Sequence, residues 1–342
     1  MSLKNLSAKI KIPKLLHNKL KNNRINQIYK RFEKILNIDE NFIVAVSGGP
    51  DSLALAFLAK IYALKKNLTC RFFIVDHKLR TESSKEARVV KKVLKQYFIN
   101  AEILTWYGKK PSNNVQSLAR KKRYELLINK SDQLKINNIL LGHHSDDLLE
   151  NFFIRILRGS GLKGLVSFGK KSKVGKKNLL RPLLDQKKED LLFISKYVFN
   201  FFVDDPSNID EKYQRTQIRE LIKQFQKKGL DKEKFSKTIN NLKSSNEVVD
   251  FYVDENFKKN TFFSSSRNKL VLNKTFFQHP NEIVFRGLSK SIRLVGGRYY
   301  SVRGKKLDKI IGILENNRNL KVTLGGCIIE KVNQTVIISK EY

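Results

Sequence analysis

The residues best equipped for chemistry form Ser47-Gly-Gly-Pro-Asp-Ser52, set between a short apolar run and a helix-like segment. Two glycines let a backbone turn tightly and bring its N–H groups up to an anion. A helix starting there aims its unsatisfied N–H donors and the positive end of its dipole at the same point. Ser47 and Ser52 add hydroxyls. Asp51 would repel a bare phosphate, which argues for a Mg²⁺ ion between its carboxylate and a nucleotide. The loop is not the type that ends in Gly-Lys-Ser/Thr. An ordinary strand-to-helix turn is the plainer explanation, and six matching residues in the right context weigh against it.

A second group is Gly142-His-His-Ser-Asp-Asp-Leu-Leu-Glu150, again where an apolar run enters a helical pattern. On a helix Asp146 and Glu150 are four apart and Asp147 and Glu150 three apart, so their carboxylates share a face. Such acid could hold Mg²⁺, bind an ammonium group, or take a proton from an amine nucleophile. Helix capping by Asp146 explains one acid and not three beside two histidines. Zinc lacks a matching ligand pair downstream. Val75-Asp-His-Lys-Leu-Arg80 is a third group, with Asp76 and His77 at another strand end beside the first loop. Two basic clusters follow, Ala119-Arg-Lys-Lys-Arg-Tyr124 and Tyr213-Gln-Arg-Thr-Gln-Ile-Arg219. Their arginines could neutralise charge developing on a phosphate, although each cluster alone also suits a solvated helix face. Gly159-Ser-Gly161-Leu-Lys-Gly164 matches the dinucleotide fingerprint but follows a helical stretch. That fingerprint must follow a strand, so NAD binding is rejected.

The elements that must position these groups alternate. Strands are expected at Phe42–Val46, Cys70–Val75, Ala101–Trp106 and 138–141, with helices at Asp51–Lys65, Ser83–Phe98, Val115–Asn129 and Asp146–Leu157. That alternation predicts an α/β fold, a parallel-sheet nucleotide-binding domain with helices on both faces, whose ligands sit at the carboxyl ends of its strands. Residues 169–177 (GKKSKVGKK) read as a mobile lysine-rich loop. A helical connector is expected from Tyr213 to about Phe257, and then a small α+β domain. Its expected strands are 268–272, 321–324, 327–332 and 335–339, its helices 282–294 and 307–316. The expected divisions are a basic N-terminal extension at 1–40, the catalytic domain at 41–210 and the connector with the small domain at 211–342.

The chain has 342 residues, and 68 Lys and Arg against 32 Asp and Glu leave a net charge of +36. A field of that sign attracts polyanions, nucleic acid foremost, and both halves carry the excess. Lysine drift in a Lys/Asn/Ile-rich chain would not explain why acids failed to rise as well. Two isolated cysteines, Cys70 and Cys327, exclude a disulfide framework, a paired-cysteine knuckle and a redox pair, and suit the cytoplasm. No apolar run approaches the roughly 18 residues of a membrane span, and no secretory signal is evident at the start.

These motifs together resemble the tRNA(Ile)-lysidine synthase family, within the wider group of ATP pyrophosphatases that carry an SGGxDS loop (the PP-loop). The loop at 47–52 is common to that group. VDHKLR at 75–80, ARKKRY at 119–124, GHHSDDLLENFFIRILRGSGLKGL at 142–165, RPLL at 181–184, DDPSN at 204–208 and TLGGCIIEKVNQTVIISKE at 323–341 are narrower. The resemblance runs from about Phe42 to the end, with no counterpart of the further C-terminal domain of longer members, so a short form is expected. It implies ATP and Mg²⁺ as cofactors, and free L-lysine and a tRNA(Ile) with a CAU anticodon as partners. The C2 oxygen of the wobble cytidine would be adenylated with release of pyrophosphate, and the lysine amine would displace AMP. Ser47, Gly48, Gly49, Pro50, Asp51 and Ser52, with Asp76 and His77, would then surround the nucleotide, and Asp51 and Asp147 the metal. Asp51, Asp147, Glu150, Arg120 and Arg215 would form the catalytic set, and His143, His144, Asp146, Arg123 and Arg219 the substrate site. Which arginine of each basic cluster acts is open, as is the oligomeric state, a homodimer included.

Two positions depart from the family pattern. Thr216 stands where an asparagine is usual, and Asn200 replaces the glycine expected after a helix, though asparagine tolerates the same backbone geometry. Another PP-loop enzyme is the alternative. A tRNA thiolase would need a cysteine array, and a small-molecule amidotransferase would need neither this charge nor the C-terminal match. A nucleic-acid-binding protein without catalysis would gain nothing from the retained acids.

Overall fold

The computed structural model describes residues 12–108, 115–204, 214–264, 269–297, 302, 304–316 and 319–341. The chain divides into two units, Met1–Phe235 and Ser236–Tyr342.

The first unit opens with α1 (Lys14–Leu20) and α2 (Asn23–Leu36). It continues through β1 (Phe42–Val46), α3 (Pro50–Lys66), β2 (Cys70–Asp76), α4 (Ser83–Gln96), β3 (Ala101–Thr105), α5 (Val115–Gln133), β4 (Asn138–Leu140) and α6 (Ser145–Leu157). A short α7 (Leu162–Leu165), β5 (Lys171–Val174), β6 (Lys177–Leu180), α8 (Lys188–Phe199) and α9 (Gln214–Lys227) complete it. The sheet order is β3-β2-β1-β4-β6-β5. All neighbours run parallel except the β5–β6 pair. Chain order reverses between β1 and β4, and in sheets of this kind ligands bind at the carboxyl ends flanking that point.

Burial on both faces explains why β1 is continuously apolar. Phe42, Val44 and Val46 enter a core with α1, α2, α3, α4 and α8, while Ile43 packs on the other face with Leu127 of α5 and Ile139. Helix α3 is buried along nearly its whole length, from Ser52 to Ala63. Its start is set by Pro50 in the first turn, where no N–H is needed, and its end by left-handed Asn67.

Three expectations change. Residues 12–40 are not an extension: Leu16, Ile25, Ile28, Tyr29 and Phe32 are fully buried in the first core. Positions 25, 28, 29, 32 and 36 are the apolar stripe of an amphipathic helix, so α2 docks as one. The segment 169–177 is not a loop throughout, because β5 and β6 form a hairpin on the sheet edge with Gly175 and Lys176 at its turn. Helix α9 is not a connector, since Ile218 and Ile222 pack on Leu149 and Ile154 of α6. The boundary between units therefore falls after Phe235 rather than after residue 210. Asn200 does take the left-handed conformation (φ 47°) that caps α8, and the glycine-rich segment at 159–164 does follow a helix.

Helix α10 (Lys232–Asn260) leads into the second unit. There an antiparallel sheet is ordered β7 (Thr261–Ser264), β8 (Lys269–Leu272), β11 (Thr335–Lys340), β10 (Cys327–Val332) and β9 (Asn319–Leu324). Leu270, Ile329 and Ile338 of the sheet share a core with Leu288 and Ile292 of α11 (Asn281–Gly296) and Leu307 of α12 (Gly304–Asn316). This is the expected α+β unit, with β7 added. Among the described residues no helix is long and apolar enough to cross a membrane.

Candidate active site

The glycine loop is built by its own serine. Ser52 Oγ accepts hydrogen bonds from the backbone N–H groups of Ser47 and Gly48 (3.1 Å each) and donates to the Gly49 carbonyl (2.9 Å). Its hydroxyl therefore shapes the turn, where the sequence suggested a phosphate donor. Gly48 has φ +92° and no room for a side chain, because a Cβ would lie 2.6 Å from Val90 Cγ2. Ser195 Oγ donates to the Pro50 carbonyl (2.6 Å) and fixes α3 to α8.

The loop after β4 presses against the start of α3. A Cβ on Gly142 would come within 3.1 Å of Ser52 Cα and 3.2 Å of the Asp51 carbonyl, so a larger residue would push this approach apart by a few tenths of an ångström. The approach delivers His144, whose Nε2 lies 3.6 Å from Asp51 Oδ2 and 3.7 Å from Asp147 Oδ2. His144 also caps α6. Its Nδ1 accepts from the Asp146 N–H (3.2 Å), and its own N–H donates to Asp147 Oδ2 (3.0 Å). A neutral ring thus carries its proton on Nε2, between the two carboxylates.

The acids have different surroundings. Burial, with a smaller push from Asp147, raises the Asp51 pKa against the pull of His144, and Asp51 Oδ1 has no hydrogen-bond partner. Burial also pushes Asp147 up, but His144, His143 and the His144 N–H outweigh it and hold Asp147 below the usual carboxylate range. Burial raises Glu150 although Arg219 Nε donates to its Oε1 at 2.6 Å, and Oε2 is buried without a partner. Asp146 is held by Lys232 (2.7 Å).

Helix α9 brings Arg215 and Arg219 to α6, and the field of Arg215 reaches His143, Asp147 and Glu150. Arg120 lies over the Tyr124 ring (5.3 Å), and its charge also reaches His143. Burial, with Arg181, Arg120 and Arg215 opposed by Asp147, lowers the His143 pKa to about 3. Arg123 is turned elsewhere, donating to His77 Nε2 (3.4 Å) at the end of β2. Burial and Arg123 lower the His77 pKa to about 4. The Asp76 carboxylate accepts from Lys78 N–H and the Ser83 and Ser84 hydroxyls, and these bonds outweigh burial and hold its pKa down. Asp76 thus supports the β2–α4 loop. Residues 205–208 of the DDPSN motif lie outside the described residues.

Two cations were given no role from the sequence, although Arg181 heads the RPLL motif. Arg181, buried just after β6, donates to the Gly169 carbonyl and Ser172 Oγ (3.0 Å each) and lies over Phe168 (4.7 Å). The signal was its place after an apolar strand, as for Ser47 after β1. Lys232 gave no local signal, because its partner is 86 residues away.

The loop, the switch point and the paired acids define a PP-loop ATP-binding protein, and the model of the PP-loop domain matches residues 18–225. The tRNA(Ile)-lysidine synthase of Orientia tsutsugamushi is 35% identical over 311 residues, covering 87% of this chain and 69% of that one. Those of Wolbachia pipientis wMel and Bradyrhizobium sp. are 32% and 30% identical, covering 91% and 86% of this chain and 74% and 88% of theirs. The chain belongs to the tRNA(Ile)-lysidine synthase family, which makes it a ligase. Among solved structures, the U34-tRNA thiolase NcsA from Methanococcus maripaludis with its [4Fe-4S] cluster aligns with TM-score 0.56 and 20% identity, covering 65% of this chain and 80% of that one. That likeness concerns the fold. Here Cys70 and Cys327 stand in different units.

Proposed function

We propose that this chain joins free L-lysine to C2 of the wobble cytidine of a tRNA(Ile) with a CAU anticodon, in the cytoplasm and at the expense of ATP. The C2 oxygen attacks the α-phosphorus and pyrophosphate leaves. A lysine amine then attacks C2, AMP departs with the oxygen, and the nitrogen gives up a proton. The observation that carries this reading is the convergence, at one strand switch point, of a phosphate-binding glycine loop with carboxylates held in unlike protonation tendencies.

The Gly49 N–H and those at the start of α3 cradle the triphosphate, while the Ser47 and Gly48 N–H groups hold the turn through Ser52 Oγ. Asp51, with the unpartnered Oδ1, and Asp147, kept ionised, suit a Mg²⁺ ion shared with phosphate oxygens. When bound, the cation offsets charge on the triphosphate and the leaving pyrophosphate. Glu150 Oε2, buried and free, takes the proton from the attacking amine. Arg215 and Arg120 offset negative charge on the adenylated intermediate, and Arg219 orients Glu150.

The test is incubation with ATP, Mg²⁺, L-lysine and a CAU-anticodon tRNA(Ile). AMP and pyrophosphate should be released only with the RNA, and its wobble nucleoside should gain the mass of one condensed lysine. Asp51→Ala and Asp147→Ala should abolish product while tRNA binding by gel shift survives. Release of AMP without RNA, or normal turnover by both variants, refutes the assignment.

A further inference from the structure

Two buried polar atoms border Phe168 without a hydrogen-bond partner: His143 Nδ1 and Arg181 Nε. The His143 ring meets Phe168 edge-on at 5.2 Å, and the Arg181 guanidinium lies over the same ring at 4.7 Å. Phe168 itself is 6% exposed. Arg181 is held by the Gly169 carbonyl and Ser172 Oγ, both taken by its Nη1, and by the Tyr124 hydroxyl, while its Nε has no partner. Buried polar groups in folded proteins are nearly always paired, so two orphans on one aromatic ring beside the reacting acids call for a ligand.

We propose that Arg181 and His143 read the Watson–Crick edge of the target cytosine and determine specificity for that base. The inference rests on the tRNA-modifying reading above. Cytosine presents an acceptor at N3 and a donor at its exocyclic N4 amine, while its O2 is the atom that reacts. Arg181 Nε–H supplies the donor for N3, and the Nδ1 lone pair of a neutral His143 accepts from N4. Uracil offers N3–H and O4 instead, so donor faces donor and acceptor faces acceptor.

Adenine shows the same donor–acceptor pattern, and position decides between the bases. Arg181 follows β6, His143 follows β4 and Phe168 precedes β5, all on one side of the central β1 loop. The other nucleotide-facing candidates, Asp76 and His77, end β2 on the opposite side. A triphosphate in the loop can place its own base over β2 and leave the β4–β6 side to the RNA.

The test compares CAU-anticodon tRNA transcripts carrying cytidine, uridine or 2-pyrimidinone ribonucleoside (cytidine without its amine) at the wobble position, read as single-turnover kcat/KM. The wild-type protein should prefer cytidine over 2-pyrimidinone by about 10- to 100-fold. His143→Leu should bring that ratio near one, and His143→Asn, whose carboxamide oxygen can accept in place of Nδ1, should restore much of it. Arg181→Lys, which keeps charge but loses Nε–H, should cut the preference for cytidine over uridine by a similar factor. The preference for ATP over purine riboside triphosphate should stay at the wild-type value in all three variants. Unchanged base ratios overturn the assignment, as does a change falling on the ATP analogue, which would mean that the pair reads adenine. A wild-type protein that leaves the cytidine transcript unmodified defeats the underlying functional reading, and this inference with it.

Discussion

Three carboxylates on one turn of helix would ordinarily repel one another, and here each has a separate counterpart. Asp146 has the Lys232 ammonium, Asp147 has His144, and Glu150 has Arg219. The pKa values are nonetheless pushed apart: at Asp147 burial is outweighed by His144, His143 and the His144 N–H, whereas at Glu150 burial prevails over the pull of Arg219. Such a split marks the assignment of roles in acid–base sites. Glu150 accepts a proton only when ionised, so lysine transfer should fail as pH falls through its raised pKa, above the ordinary value of about 4.3. Glu150→Gln should slow transfer by about 10²- to 10⁴-fold and leave ATP–pyrophosphate exchange intact. Rapid-quench measurement of the two steps separates these outcomes, and equal loss of both would remove Glu150 from the proton-transfer role. Residue identity was readable where local spacing carries it, as in the loop at 47–52 and the acids at 146–150. Partners were not: nothing near Arg123 in the sequence says that it turns to His77, and nothing near Asp146 points to Lys232.

Whole elements were readable where side-chain periodicity follows burial. The strands Phe42–Val46 and Cys327–Val332 form over the residues expected, because each is bounded by an abrupt loss of apolar side chains. The β5–β6 hairpin was hidden because an edge strand exposes one face. Lys171 and Lys173 point outward while Ser172 and Val174 are half-buried, and lysine-rich sequence resembles a loop. Its partner strand starts with a buried cation. Lys177 Nζ donates to the Ile136 carbonyl (3.0 Å) and pairs with Asp132 (2.8 Å), tying β6 to the α5–β4 turn. Lys177→Met should cost the first unit about 1–3 kcal/mol through the lost charge-assisted bonds. Denaturant titration of wild type and variant reads that loss. Turnover at 25 °C should persist, since Lys177 begins β6, at the end of the parallel strands opposite the glycine loop. A stability within about 0.5 kcal/mol of wild type would show that the ion pair is merely exposed-surface in strength.

At the scale of the molecule, charge and fold speak to different parts of the task. The net charge of +36 says nothing about which base is altered, but it sets how strongly a polyanion is drawn in. Binding of tRNA should therefore weaken steeply with salt, log Kd against log salt concentration giving a slope of at least about 3, and Asp51→Ala should leave that slope unchanged. A flat response by filter binding would detach the charge from RNA recognition. The α/β alternation of the first unit was legible because strands buried on both faces are uniformly apolar. The boundary after Phe235 was not, because α9 is polar overall and only its contact with α6 shows where it belongs. The central claim is that the turn at 47–52 holds the triphosphate beside Asp51 and Asp147. A crystal structure with a non-hydrolysable ATP analogue and Mg²⁺ tests it directly. The phosphates should lie on the backbone N–H groups of Gly49 and the first turn of α3, with Asp51 on the cation; a triphosphate bound anywhere else would contradict the account.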